Sequence, residues 1–119
     1  MTINRDQCIA AIQHSIESSI ALRHDLERGE PIGHRMIAAL LDGVDIHDSV
    51  EAAGESPAEL RQTSADVYEL YRQRRHEMRA LFLVAARESG LNDSEIGRRL
   101  GISRQAVEKT LKESNHKEH

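Results

Sequence analysis

Tryptophan is absent, phenylalanine occurs once, at Phe82, and aromatic residues make up only 3% of the chain. A core must therefore be built from Ile, Leu, Val, Ala and Met, which suits thin helical layers better than a sandwich or barrel. The single cysteine, Cys8, excludes an internal disulfide and fits a reducing compartment. The longest apolar run is "ALFLVAA", residues 80–86, far short of the roughly 20 residues of a membrane span. The N-terminus "MTINRDQC" lacks the apolar region of a signal peptide. A soluble, cytoplasmic chain with no membrane partner is expected. Its 119 residues suffice for one domain, or for two small helical modules sharing a long helix.

Chemistry-bearing patterns are equally sparse. The sequence contains no nucleophile elbow, phosphate loop or His-Glu-x-x-His, so nothing points to an enzyme, a cofactor or a catalytic residue. Seven histidines are present, but His14, His24, His34 and His47 are scattered, and His116 and His119 stand in a polar tail without a third ligand. No metal site is expected. Cys8 has no basic neighbour except Arg5 and reads as a structural thiol.

The charge is distributed unevenly. The formal net charge of −4 divides into 5 Arg against 13 Asp plus Glu in residues 1–71, and 11 Lys plus Arg against 7 Asp plus Glu in residues 72–119. The first part is net −8 and the second net +4, an asymmetry expected of an acidic half that avoids nucleic acid and a basic half that seeks it.

Apolar periodicity indicates helices throughout. Ile9, Ile12, Ile16, Ile20 and Leu26 form a stripe on a helix over about residues 4–28, which Gly29 ends. Pro31 then opens a second helix that stops at Gly43. Asp45 caps a short helix closing at Gly54, and Ser56, Pro57 and Glu59 form a capping signal for the next. From there no Gly or Pro intervenes before Gly90. Leu60, Val67, Tyr71, Met78, Leu81 and Ala85 follow a seven-residue repeat that Ser64 and Arg74 interrupt, so residues 57–89 read as one helix or as two broken around 72–76. The fold class is all-α: an N-terminal helical module (1–56), a connecting part of the long helix (57–75), a C-terminal pair of helices (76–113) and a frayed tail (114–119).

The stretch "GLNDSEIGRRLGISRQAVEKTL", residues 90–111, holds two glycines four apart. Each glycine within a helix costs about 1 kcal/mol relative to alanine, so both need a geometric reason. Asn92 caps a short helix, with Glu95 completing the box, and Gly101 takes the left-handed position at its end. Ser103 caps the following helix. Ile96, Leu100, Ile102, Val107 and Leu111 point into one wedge, and Gly97 permits the two helices to approach closely.

These residues resemble a helix-turn-helix DNA-binding motif, of the kind seen in LuxR-type regulators and in the promoter-reading C-terminal region of bacterial sigma factors. "EIGRRLGISRQAVEKTL" carries the Glu-Ile-small start, the Leu-Gly-Ile-Ser turn and the Val and Leu of the second helix, and "HEMRALFLVAARESGL" is similar to the supporting helix before it. Gly97 stands where the motif more usually has alanine. The sensory or receiver domains that often precede such motifs have no counterpart in residues 1–56.

The resemblance implies that the second helix enters the major groove of double-stranded DNA. Arg104, Gln105 and Glu108 would then contact bases, and Arg98, Arg99, Ser103, Lys109 and Lys112 phosphates. Glu108 either accepts from a cytosine amino group or orients Arg104 and Lys112 at four-residue spacing. Regulators of this kind pair two motifs about 34 Å apart on the DNA. The stripe Ile9, Ile12, Ile16 and Ile20 is accordingly a candidate homodimer interface, with internal core packing as the alternative. A transcriptional regulator is expected. The competing expectation is a protein-interaction module, an antitoxin, anti-sigma factor or adaptor, whose acidic N-terminal half binds a protein partner.

Overall fold

The computed structural model describes residues 3–117, with side chains as far as residue 114. The fold is all-α: α1 Arg5–Leu41, a 3-10 turn Ile46–Asp48, α2 Ser49–Ala52, α3 Pro57–Glu88, α4 Asp93–Leu100 and α5 Arg104–Lys117. No helix among the described residues is long and apolar enough to cross a membrane. The chain divides into two compact units, Ile16–Arg72 and a second that joins residues 3–15 to residues 73–117. Both long helices contribute to both units.

α1 overturns the expected break at residues 29–31. It runs unbroken for 37 residues with Pro31 inside it, and Gly29 is not among the positive-φ glycines. A proline in a helix interior costs about 3 kcal/mol. Here the damage is confined to an exposed side: Glu27, whose carbonyl loses its N–H partner, and Pro31 are both exposed, so water can satisfy the orphaned group. Beyond the proline Ile32 and Ala39 are buried and Met36 half-buried, and this burial offsets the local penalty.

The faces of α1 are also the reverse of the simplest hydrophobic reading. Its main inward stripe is Ala11, Ser15, Ser18, Leu22, Asp25, Ile32, Met36 and Ala39, with Gln7, Cys8, Ala10 and Gly33 half-buried beside it. The stripe positions recur at alternating steps of four and three, with Gly29 at the vacant place in the series. Ile9, Ile12, Ile16 and Ile20 lie on the opposite side, 51%, 37%, 53% and 40% exposed.

In the unit Ile16–Arg72, the half-buried residues of α3 are Leu60, Ser64, Val67 and Tyr71, again at steps of four and three. This is the pattern of helices that meet along a seven-residue repeat. Ser64 thus occupies the repeat rather than interrupting it, as does Arg74 further along, also half-buried. α3 is one helix of 32 residues. Its start uses Ser56, whose Oγ accepts from the Glu59 N–H at 3.4 Å. The connection is tied to α1 by Arg35, whose Nε donates to the Ala53 carbonyl at 2.9 Å. Asp45 precedes the 3-10 turn but makes no side-chain capping bond. The expected single short helix is instead a 3-10 turn and one α-turn, held by the buried Ser49 donating to the Ile46 carbonyl at 2.8 Å.

The other unit begins with a cap that sequence reading overlooked: Asn4 and Gln7 exchange side-chain-to-backbone bonds of 2.9 Å at the start of α1. The Ile3 N–H donates to Glu88 Oε2 at 2.9 Å, tying the N-terminus to the end of α3. The core of this unit is Leu83, Ile96, Val107 and Leu111, with Val84, Ala86, Leu91 and Ile102 packed around it. α5 continues to Lys117, so residues 114–117 of the expected tail are helical; residues 118–119 lie outside the described residues.

Because α1 is continuous through Pro31, Pro31→Ala restores one helical N–H and removes a ring clash. Stability is expected to rise by up to about 3 kcal/mol, measured by the midpoint of urea unfolding. No gain would mean that Pro31 starts a separate helix, where proline is tolerated.

Candidate nucleic-acid interface

The candidate interface is built on α4 and α5, and local chemistry fixes where each begins and ends. Asn92 Oδ1 accepts from the Glu95 N–H at 2.9 Å and starts α4. Gly101, at φ +70°, ends it. The Gly101 and Ile102 N–H groups both reach back to the Gly97 carbonyl, the latter at 2.9 Å. The first is the bond of the αL motif and the second the six-to-one bond of the Schellman motif, a closure that glycine at a left-handed position permits. Two residues later Ser103 Oγ accepts from the Ala106 N–H at 3.0 Å and starts α5.

Gly97 has a sharper reason than close helix crossing. A Cβ there would stand 2.7 Å from the Ile102 carbonyl oxygen, so it is the backbone of the turn, more than α5 itself, that lies over the glycine. One expected wedge residue is not in the wedge: Leu100 is 47% exposed. It is the last residue of α4, and the chain turns back so that Ile102 packs against the core in its stead. Ile96, Val107 and Leu111 are buried as expected, and Gly101 is exposed.

Two contributors were missed. Leu83 is fully buried, but the seven-residue pattern directs attention to Leu81 and Ala85 on a different face of α3. The spacing of Ala80 and Leu83, both buried, was the available signal. Arg87 was also missed: its Nη2 lies 2.8 Å from both oxygens of Asp93, linking the end of α3 to the start of α4. Sequence offered no sign of this pair, six residues apart across a turn.

On α5 the inward side is formed by Val107, Thr110 and Leu111, all buried, with the Thr110 hydroxyl donating to the Ala106 carbonyl at 3.0 Å. The outward residues Arg104, Gln105, Glu108, Lys109 and Lys112 are all exposed, as are Ser103 and, on α4, Arg98 and Arg99. Arg98, Arg99, Lys109 and Lys112 have no ion-pair partner among the described residues. Arg104 differs: its Nε donates to Glu108 Oε1 at 2.9 Å. That hydrogen bond and the carboxylate's charge raise the Arg104 pKa, with a smaller contribution from Asp93. Arg104 therefore stays a cation at any working pH. Arg87, Asn92, Asp93, Ser94, Arg104 and Glu108 line an open polar groove between the starts of α4 and α5.

The structure also gathers Asp45, His47 and Asp48, with one potential ligand atom from each within 4.8 Å of the others. All three are exposed, and they belong to the unit Ile16–Arg72.

Residues 73–118 match the model of the homeodomain-like domain family. Among curated proteins and solved structures nothing matches the chain. The end of α3, α4 and α5 thus form a helix-turn-helix domain.

Gly97→Ala tests the turn contact, because helix propensity and packing disagree in sign. Alanine gains about 1 kcal/mol in propensity, whereas overpacking against backbone costs about 1–3 kcal/mol. A net loss of roughly 1 kcal/mol is expected in thermal unfolding; a gain would mean that the turn yields freely.

Proposed function

We propose that the protein is a sequence-specific DNA-binding transcriptional regulator, with α5 lying in the major groove. The observation that carries this reading is the division of α5 into a buried apolar side and an exposed side bearing Arg104, Gln105, Glu108, Lys109 and Lys112, within a domain of helix-turn-helix type. Arg104 and Gln105, in the first turn of α5, have the donors and acceptors for guanine and adenine edges. The cations without ion-pair partners, Arg98, Arg99, Lys109 and Lys112, suit phosphates, as does Ser103 at the helix start, whose hydroxyl hydrogen remains available. The narrower likeness to LuxR-type regulators and the sigma-factor C-terminal region rests on the residues of the turn, Leu100 to Ser103, and on Val107 and Leu111.

The protein acts as a homodimer on an inverted repeat in this reading. One helix-turn-helix unit reads few base pairs, and two placed about 34 Å apart read a full site. Support for the interface is the exposed side of α1: Ile9, Ile12, Ile16 and Ile20 form a β-branched stripe with polar neighbours, opposite the small residues that face inward. Such a stripe in water favours burial against its own copy.

Selection of bound fragments from sheared genomic DNA at about 150 mM salt tests the reading. Wild type is expected to enrich an inverted repeat that Arg104→Ala does not. Lys109→Ala and Lys112→Ala should weaken binding uniformly and each lower the salt slope by about 1. Equal, sequence-blind binding by wild type and Arg104→Ala would refute it. For the dimer, Ile12→Glu with Ile16→Glu is expected to give a monomer in sedimentation equilibrium with helix content retained. An unchanged dimer would place the interface elsewhere.

A further inference from the structure

The α5 residue left undecided by its spacing is Glu108, and its geometry gives it a definite part. Its Oε1 accepts from Arg104 Nε at 2.9 Å, one helical turn away, while the two side chains remain 46% and 67% exposed. We propose that Glu108 is a specificity-determining residue: it holds the Arg104 guanidinium through Nε, so that the two terminal nitrogens are presented to a guanine edge rather than to phosphate. The proposal rests on the DNA-reading function proposed above.

A guanidinium has five N–H donors in a rigid plane. With Nε committed to Glu108, the terminal nitrogens have no protein partner among the described residues, and their end-on edge matches the O6 and N7 acceptors of guanine. An unrestrained arginine at a helix start is as well suited to phosphate, a contact that carries no sequence information. The carboxylate opposes that alternative, because a phosphate brought to Arg104 also approaches the negative charge of Glu108.

The surrounding groups sharpen the assignment. Asp93 is the other carboxylate beside the groove, but both its oxygens face Arg87 Nη2 at 2.8 Å, which leaves Glu108 as the group that directs Arg104. The cations assigned to phosphates, Arg98, Arg99, Lys109 and Lys112, lack any such carboxylate among the described residues. On this surface the paired arginine reads and the unpaired cations anchor.

The test uses the full chain and two duplexes at about 150 mM salt: the sequence enriched by wild type and a scrambled duplex of equal length. Affinities are measured for wild type, Glu108→Gln, Glu108→Ala, Arg104→Ala and the Arg104→Ala/Glu108→Gln double variant, with helix content and melting temperature recorded for each. Both Glu108 variants are expected to bind the scrambled duplex more tightly, since a negative charge is removed, and to lose about tenfold in the ratio of specific to non-specific affinity. The double variant should discriminate no worse than Arg104→Ala alone, because Glu108 acts through Arg104. A wild-type ratio in Glu108→Gln, where Arg104→Ala has lost discrimination, would overturn the clamp and leave the DNA-reading function standing. An equal loss from Glu108→Gln with and without Arg104 would also overturn it, making Glu108 a base contact in its own right. Failure of wild type to enrich any sequence would overturn the DNA-reading function itself, and the clamp with it.

Discussion

An eight-residue helix such as α4 is too short to persist alone in water, where isolated helices below about 12–15 residues are marginal. Its existence depends on the turn that follows it. The Gly97 carbonyl receives the Gly101 and Ile102 N–H groups, and the missing Cβ of Gly97 leaves room for the Ile102 carbonyl oxygen. That one packed turn sets the direction of α5 relative to α4 and lets Ile96, Val107 and Leu111 meet Leu83. The exposed side of α5 is then fixed as a consequence: once Val107 and Leu111 are inside, Gln105, Glu108, Lys109 and Lys112 face outward, while Arg104 is exposed at the helix start. The exposed surface of α5 is the consequence of a packing solution.

Electrostatics follow the same division. Around the turn, arginines take two roles. Arg87 is engaged by both oxygens of Asp93 and serves the structure, while Arg98 and Arg99 are exposed in the last turn of α4 with no ion-pair partner among the described residues. Residues 1–71 carry an excess of carboxylates and residues 72–119 an excess of Lys and Arg, so the charge favourable to an anionic partner is concentrated in the part of the sequence that holds the helix-turn-helix.

Much of that end was legible in the sequence because its signals are local. Asn92, Gly101 and Ser103 each act within three or four residues, and each is found in the role its chemistry suggests. What escaped notice was long-range. The continuity of α1 through Pro31 depends on burial at Ile32 and Ala39, which no local rule contains. Leu83 was hidden because α3 has two buried sides and the seven-residue pattern marks one of them. Leu100 has the spacing of a core residue and fails only because the helix ends there. The inward side of α1 is made of Ala and Ser at Ala11, Ser15 and Ser18, residues that a search for large apolar groups passes over in favour of the isoleucines behind them.

The most direct measurement of the central claim is an amide chemical-shift map of the isotope-labelled full chain on addition of a DNA duplex. Perturbations concentrated at Arg98, Arg99 and residues 103–112, with residues 16–72 unchanged at the surface, are the expected result. Perturbations confined to residues 16–72, or none at any duplex concentration, would contradict the assignment of α5 as the reading helix.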